Sequence, residues 1–451
     1  MEPVYHSTER ATPEGYTETV GFSRGLFMGL APDGGLLTPV AFPVLPPAVW
    51  ESLRDLDYPG AAETVLWPFV SESIDRDRFR ALLQDAYDFP LPLEELGADR
   101  WLLRLDQGPT ASFKDFAARW MARMMHALRP ADRPLRIIVA TSGDTGSAVG
   151  DAFRGLSNTK VFLLFPAKEV SPVQRRQLIS LGEHTEAMEI EGTFDDCQRM
   201  AKQALHDPAL SGLGLSSANS ISIGRVLPQM VYYAWAWSRV ARRAGEPVAF
   251  CVPSGNFGNA LACEWARQMG LPVAHLILAV NANDSLPRYM ETGRFEPVRP
   301  SRNCLSNAMN VGHPNNLPRF IELFGGILDR TGRMVRDPDR DALRRRISSI
   351  SISDEQTVDT LRRAWEERHL LLEPHGAVGY AALQQVARPA GEPAVMLETA
   401  HPAKFPEAIE DALGFTPEPP PALQALDQRP SHCTPMPGDY EALRQHLESF
   451  Q

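Results

Sequence analysis

An α/β architecture, built on parallel sheets covered on both faces and preceded by a separate N-terminal segment, is what this sequence predicts. Three observations predict it. Short β-branched runs alternate with helical patterns from Trp101 onward. A strand, a glycine-containing loop and a helix follow one another twice. The first ~95 residues are instead rich in turn signals, as in GLAPDGGLLTPV and FPVLPP, and read as a unit apart.

The elements follow in chain order. Phe113–Leu128 has helical patterning. Leu135–Thr141 (LRIIVAT) and Lys160–Phe165 are short apolar runs suited to buried strands. Pro172–Leu181 and Leu227–Arg243 read as helices around them. Val248–Val252, Ala274–Val280 and Ala394–Glu398 are further buried-strand runs, with Ala260–Met269 helical between the first two. Fully apolar strands alternating with helices imply parallel sheets with both faces covered. The tail from Glu418 is proline-rich and is expected to wrap the surface, with a short helix over Asp439–Leu447.

Composition bounds the function classes. The chain has 451 residues, 43% of them hydrophobic and 22% charged, as expected of a soluble chain of two or three domains at roughly 100–200 residues each. A formal net charge of −11 disfavours nucleic-acid binding, which needs a basic footprint. The five cysteines form no CxxC pair, which argues against a disulfide scaffold or a cysteine-based metal site and fits a reducing compartment. The opening MEPVYHSTERATPEGY has no apolar core of a signal peptide. No apolar run approaches the ~20 residues of a membrane span. A cytoplasmic protein with no nucleic-acid or membrane partner is the expectation.

The two glycine loops are Ser142-Gly143-Asp144-Thr145-Gly146-Ser147, after Leu135–Thr141, and Pro253-Ser254-Gly255-Asn256-Phe257-Gly258-Asn259, after Val248–Val252. In open α/β sheets ligands sit beyond the carboxyl ends of the strands. A loop there that opens a helix presents backbone N–H groups to an anion, and glycine lets the backbone approach it. Two such loops suggest two anionic groups. Each loop alone is equally consistent with a tight strand-to-helix turn. Neither matches the dinucleotide fingerprint, and no GxxxxGK[ST] loop is present.

Lys114 stands in Gly108-Pro109-Thr110-Ala111-Ser112-Phe113-Lys114-Asp115-Phe116, where a loop enters a helix with Thr110 or Ser112 as a candidate N-cap. Flanking phenylalanines point to partial desolvation. That lowers a lysine pKa and favours the neutral amine that Schiff-base chemistry requires. Alone, the same segment is also consistent with a surface lysine paired with Asp115.

The series GPTASFKDF, TSGDTGSA, SANSISIGR, PSGNFGN, SNAMNVGHPNN and ETAHPAKF, in this order, resembles the threonine synthase family. More broadly it resembles the fold type II pyridoxal-phosphate (PLP) enzymes, of which the tryptophan synthase β subunit is one. The resemblance runs from about Thr17 to the end, and GFSRGLFMGLAPDGGLLTP is similar to the N-terminal domain of the bacterial and fungal form. It implies two open, mostly parallel α/β domains around the cofactor plus an N-terminal domain. The expected regions are 1–95, 96–245 with Lys114 and the SGDTG loop, and 246–451 with the cofactor-phosphate loop and the tail, the chain being free to cross between them.

The resemblance also implies roles. Lys114 matches the lysine that joins PLP covalently and then shuttles protons. Gly255, Asn256, Phe257, Gly258 and Asn259 match the cradle of the cofactor phosphate. Thr399 matches the hydroxyl that meets the pyridine nitrogen. Asp144 stands where many relatives place an asparagine near the ring oxygen. Ser142, Gly143, Thr145, Gly146 and Ser147 are expected around the substrate carboxylate. Asn219, Ser220 and Arg225 match the grip on the substrate phosphate, Arg225 offering the planar donor pair that suits it. Taken as residues alone, Asn219 and Ser220 are also candidate caps of a helix near Ile223. Glu373-Pro374-His375 and His401 are expected to be structural.

The implied reaction converts O-phosphohomoserine and water to threonine and phosphate in a monomer or homodimer. Two related activities compete: a phospho-lyase releasing an oxo acid, separable by product analysis, and a serine or threonine dehydratase, disfavoured by the Asn219–Arg225 segment. A non-catalytic homologue is disfavoured by the presence of Lys114, both loops and Thr399.

Overall fold

Two open sheets carry the strands expected from the sequence. The computed structural model describes residues 2–12, 14–130 and 133–450. One sheet has five strands in the order Thr434–Pro437, Thr185–Glu191, Thr159–Pro166, Leu135–Ala140 and Leu215–Ser217, every neighbour parallel. The other has six, in the order Ile347–Ser351, Val273–Val280, Val248–Pro253, Ala394–Glu398, Arg100–Arg104 and Leu93–Gly97. Its neighbours are parallel except for the antiparallel edge pair Leu93–Gly97 and Arg100–Arg104. Val248–Pro253 and Ala394–Glu398 are buried at every position, because helices cover both faces and leave no wet side to alternate toward.

The chain crosses between the two sheets. Arg100–Arg104 belongs with the strands after 245, and Thr434–Pro437 returns to the sheet formed before it. Thr434–Pro437 forms an edge of its sheet, whereas Arg100–Arg104 lies between Ala394–Glu398 and the edge strand Leu93–Gly97. The short helix expected near the end of the tail is present, and the tail also joins a sheet. It adds a strand to Thr185–Glu191, and its helix Tyr440–Glu448, started by the Asp439 side chain, buries Leu443 and Leu447 with Met200 and Cys197 of the Phe194–His206 helix.

The N-terminal segment pairs Tyr5–Ser7 with Leu37–Pro39 and packs its helices on the rest of the chain, Phe22 against Trp120 with ring centroids 5.9 Å apart and Tyr58 against Phe116 at 5.4 Å. Arg319 ties this segment to the interior. It is fully buried. It donates from Nε to the Leu37 carbonyl at 2.9 Å, and from Nη2 to the Ile221 carbonyl at 2.8 Å. Nη1 reaches Asn316 Oδ1 at 2.6 Å. Three strands of chain meet on one guanidinium, whose planar fork is suited to such bridging.

Candidate active site

The loops that follow three strands converge. Leu135–Ala140 runs into Thr141-Ser142-Gly143 and the helix Asp144–Ala152. Val248–Pro253 runs into Ser254-Gly255-Asn256-Phe257 and the helix Gly258–Gln268. Ala394–Glu398 runs into Thr399, and there the lysine segment is stitched on. Phe113 N donates to the Thr399 carbonyl at 2.9 Å and His401 N to the Ala111 carbonyl at 3.1 Å. Ala111 accepts a φ of 55° to make that turn. The helix Lys114–Leu128 starts with no side-chain cap. Instead of the expected Thr110 or Ser112, the carboxylate of Asp115 closes the turn, accepting from Thr110 N at 2.9 Å and Thr110 Oγ1 at 2.6 Å. Asp115 is thereby spent on Thr110, and Lys114 points elsewhere.

Lys114 faces a cavity lined also by Ser142, Asp144 and Thr145, by Gly255 through Asn259, by Thr399, and by Asn219, Ser220 and Arg225. Gly143, Gly146 and Ser147 are not among the residues lining it. The helix begins at Asp144, so these residues turn inward. A Cβ on Gly146 would sit 2.6 Å from Leu178 and one on Gly143 2.5 Å from Gln174. Ser147 Oγ donates to the Asp144 carbonyl at 3.1 Å. Thr141 Oγ1 holds the loop by accepting from Gly143 N at 3.0 Å and Gly146 N at 2.8 Å. Asn219 does not cap the next helix; Ser222 does. The Asn219 amide pairs both ways with Ala140, donating to its carbonyl at 2.7 Å and accepting from its N–H at 3.3 Å.

Charges in the cavity are arranged around Lys114. Its Nζ is 3.7 Å from Asp144 Oδ2 and 4.5 Å from the Phe113 ring centre. Burial lowers its pKa to about 8; Asp144 opposes this, while Lys404 and Arg225 reinforce it. Burial works to raise the pKa of Asp144, but Lys404 and Lys114 prevail and hold it well below the carboxylate range. Arg225 is buried and makes no ion pair among the described residues. Its Nη1 donates to the Ala218 carbonyl at 2.6 Å, and its Nε has no partner. Burial lowers its pKa to about 10. A desolvated guanidinium without a carboxylate is costly to maintain and is a ready partner for an incoming anion.

Residues not singled out from the sequence complete the site. Lys404, in the turn after Thr399, is fully buried and reaches Asp144 Oδ1 at 2.7 Å. Gln174 Nε2 donates to the same oxygen at 2.9 Å. Phe194 and Gln198, on the Phe194–His206 helix, also line the cavity. Glu373, expected to be structural, accepts from Thr399 Oγ1 at 3.2 Å, from Gly376 N at 3.0 Å and from His375 N at 2.7 Å. The Ala308 N–H donates to His375 Nε2 at 3.1 Å, so the ring proton is on Nδ1, directed at Glu373. The one signal that could have found Lys404 is its place between Ala403 and Phe405 a few residues after the apolar run Ala394–Glu398, comparable with the aromatic flanks that drew attention to Lys114.

This arrangement defines a class. The profile of the family described as "Pyridoxal-phosphate dependent enzyme" matches residues 87–398, and the chain is a PLP-dependent enzyme of the α/β fold type II architecture. "Threonine synthase N terminus" matches residues 4–87 and "Threonine synthase, C-terminal" residues 376–447. The threonine synthase of Haemophilus influenzae is 38% identical over 95% of this chain and 97% of its own length, and that of Escherichia coli is 37% identical over 97% and 98%. A crystal structure of PLP-bound threonine synthase from Brucella melitensis superposes with a TM-score of 0.91 at 35% identity, covering 99% of both chains. That of the Escherichia coli enzyme gives 0.89 at 36%, over 99% and 100%. The chain belongs to the threonine synthase family.

The residues present fit the cofactor. Among the described residues, no protein acceptor meets the backbone N–H groups of Gly255 through Asn259. The side chain of Asn259 is fixed by Tyr233 Oη, which donates to its Oδ1 at 2.6 Å, and its Nδ2 is buried without a partner. Phe257, at φ 58°, turns the loop into the helix. A Cβ on Gly255 would lie 2.8 Å from Met309 Cα. These donors, at the mouth of a helix, suit a phosphate.

Proposed function

We propose that this chain converts O-phospho-L-homoserine and water to L-threonine and phosphate in the cavity around Lys114. The observation that carries the reading is Arg225. A buried guanidinium without a carboxylate partner shares one cavity with a desolvated lysine and with an anion cradle at a second helix mouth. One cradle serves the cofactor phosphate, through Gly255, Asn256, Phe257, Gly258 and Asn259. The other serves the substrate phosphate, through Arg225 with Ser220, while Asn219 sets the segment by its pairing with Ala140. Ser142 and Thr145 are assigned to the substrate carboxylate. Thr399, oriented by Glu373, is assigned to the pyridine nitrogen and Asp144 to the ring oxygen.

When bound, pyridoxal phosphate supplies the electron sink for charge developing on the substrate carbons. The protein supplies position and protons. Lys114 Nζ is the covalent attachment point and the base that takes protons from Cα and Cβ. It returns one to Cγ after phosphate departs and one to Cα after water adds at Cβ, the proton that the water gives up going to the departed phosphate. A single amine on a flexible stem reaches all three carbons. Its pKa of about 8 leaves it able both to take and to give a proton near neutral pH. Arg225 holds the phosphate that leaves. The walls of Phe194 and Gln198 limit access of water.

Action as a monomer or a homodimer belongs to the same reading. Among the described residues no helix is long and apolar enough to cross a membrane, and action in the cytoplasm belongs to the same reading. Incubation with O-phosphohomoserine, with phosphate and threonine measured together, tests it. Equal yields are expected; phosphate accompanied by 2-oxobutyrate in place of threonine would reject the assignment in favour of a phospho-lyase.

A further inference from the structure

We propose that Lys404 is a positioning residue, which commits one carboxylate oxygen of Asp144 so that the amine of Lys114 stays free for covalent attachment and proton transfer. The proposal rests on Lys114 being the amine that carries the cofactor.

The geometry is asymmetric. Lys404 Nζ meets Asp144 Oδ1 at 2.7 Å, and Gln174 Nε2 meets the same oxygen at 2.9 Å. Lys404 Nζ also donates to the Thr110 carbonyl at 3.0 Å, four residues before Lys114. Lys114 Nζ stands off at 3.7 Å from the other oxygen, beyond hydrogen-bond distance. A buried aspartate with one lysine as its sole counter-charge would form a closed pair and hold that lysine protonated. Two lysines share this carboxylate, and the buried one takes the short contact.

The other groups facing Lys114 do not supply this effect. Arg225 acts on it from the Ile223–Val226 turn and Glu373 from the start of the Pro374–Gln385 helix, with opposite signs. Asp115 is spent on Thr110. Lys404 lies outside the cavity lining and is fully buried, so it acts through Asp144 and not on a ligand. Burying an ammonium is expensive unless it is paired and hydrogen-bonded. Here the pairing compensates that cost and settles which lysine the aspartate serves.

The test is competitive labelling of the full-length, cofactor-free protein with trace acetic anhydride across pH, followed on the Lys114 peptide by mass spectrometry. In the unsubstituted protein the labelling midpoint is expected near pH 8. Lys404→Met leaves Asp144 to Lys114 alone, and the midpoint is expected to rise by about one pH unit, with about tenfold less reactivity at pH 7. Lys404→Met with Asp144→Asn removes the buried pair together, which spares the fold an uncompensated charge. Because Asp144 influences Lys114 more than Lys404 does, this double variant is expected to label with a midpoint at or below the starting one. An unchanged or lowered midpoint in Lys404→Met, or a raised one in the double variant, overturns the proposal. If the single variant does not fold, the double variant decides alone. The rate at which the visible band grows after adding pyridoxal phosphate at pH 7 should fall by the same factor in Lys404→Met. If the unsubstituted protein develops no band, the assignment of Lys114 fails, whereas the labelling midpoints still judge Lys404.

Discussion

Replacing Arg225 by methionine should separate binding from folding in a way few buried arginines allow. The side chain makes one hydrogen bond to the protein, from Nη1 to the Ala218 carbonyl, and leaves Nε without a partner. Losing that bond costs about 1–3 kcal/mol. The same substitution removes a guanidinium whose burial depresses its pKa to about 10, equivalent to about 3 kcal/mol of unfavourable charge burial at neutral pH. The two effects offset each other, and unfolding free energy should change by no more than about 1–2 kcal/mol. Binding has no such compensation. Two charge-assisted hydrogen bonds to a phosphate are worth about 1.5–3 kcal/mol each. Their loss is therefore two to four powers of ten in kcat/KM, at about 1.4 kcal/mol per decade. The assay is phosphate release from O-phosphohomoserine, alongside thermal unfolding and the visible absorbance of the bound cofactor. Cofactor binding should be retained, and Arg225→Lys should fall between, because it keeps charge without the planar fork. A kcat/KM within threefold of the starting enzyme would show that the buried guanidinium does not meet the phosphate. A collapse in stability would show that it is a structural clamp.

Lys114→Met should abolish the visible cofactor band and should stabilise the cofactor-free protein by about 2–3 kcal/mol at pH 7. Between pH about 8 and the ordinary lysine range, the unfolded chain keeps a proton that the native chain has released, so native stability rises with pH there. The advantage of the variant must therefore shrink between pH 7 and pH 10.5 in thermal unfolding; a constant difference would refute the depressed pKa. Gly255→Ala places a Cβ 2.8 Å from Met309 Cα and 3.0 Å from the Ala308 carbonyl oxygen, both backbone atoms that cannot swing aside. A destabilisation of about 1–3 kcal/mol is expected, with weaker cofactor retention on dialysis, and an unaltered protein would show that the loop has slack. Ending the chain after Cys433 removes Met436, Leu443 and Leu447 from an apolar cluster and uncovers the edge of Thr185–Glu191. Light scattering should report aggregation, which a bare edge strand promotes.

The sequence was most informative where local chemistry repeats a known need. Fully apolar runs such as Ala394–Glu398 could be read directly, because a strand buried on both faces leaves an unbroken apolar record. Arg100–Arg104 could not: its ends are charged and half-buried, and its place beside Ala394–Glu398 depends on a pairing across nearly three hundred residues. The glycine loops and Lys114 were legible because motif order concentrates them. Their supports were not. Lys404 and Gln174 meet at Asp144 only after two strand ends have been brought together, and no spacing in the chain encodes that meeting. Gly143, Gly146 and Ser147 belong to the motif yet do not line the cavity, and the helix starts at Asp144, so that the last four residues of the Ser142–Ser147 loop are helical.

The guanidinium of Arg319 links the N-terminal segment to the chain leading into Arg225. It grips the Leu37 carbonyl with one edge and the Ile221 carbonyl with the other, four residues before Arg225. If Arg225 receives the phosphate as proposed, a shift of the Tyr5–Ser7 and Leu37–Pro39 strand pair would be felt at the stretch that holds it. Substitutions far out in the first forty residues can retune affinity, and this portion of the chain is better regarded as a tensioning peg for the catalytic cleft than as an appendage to it.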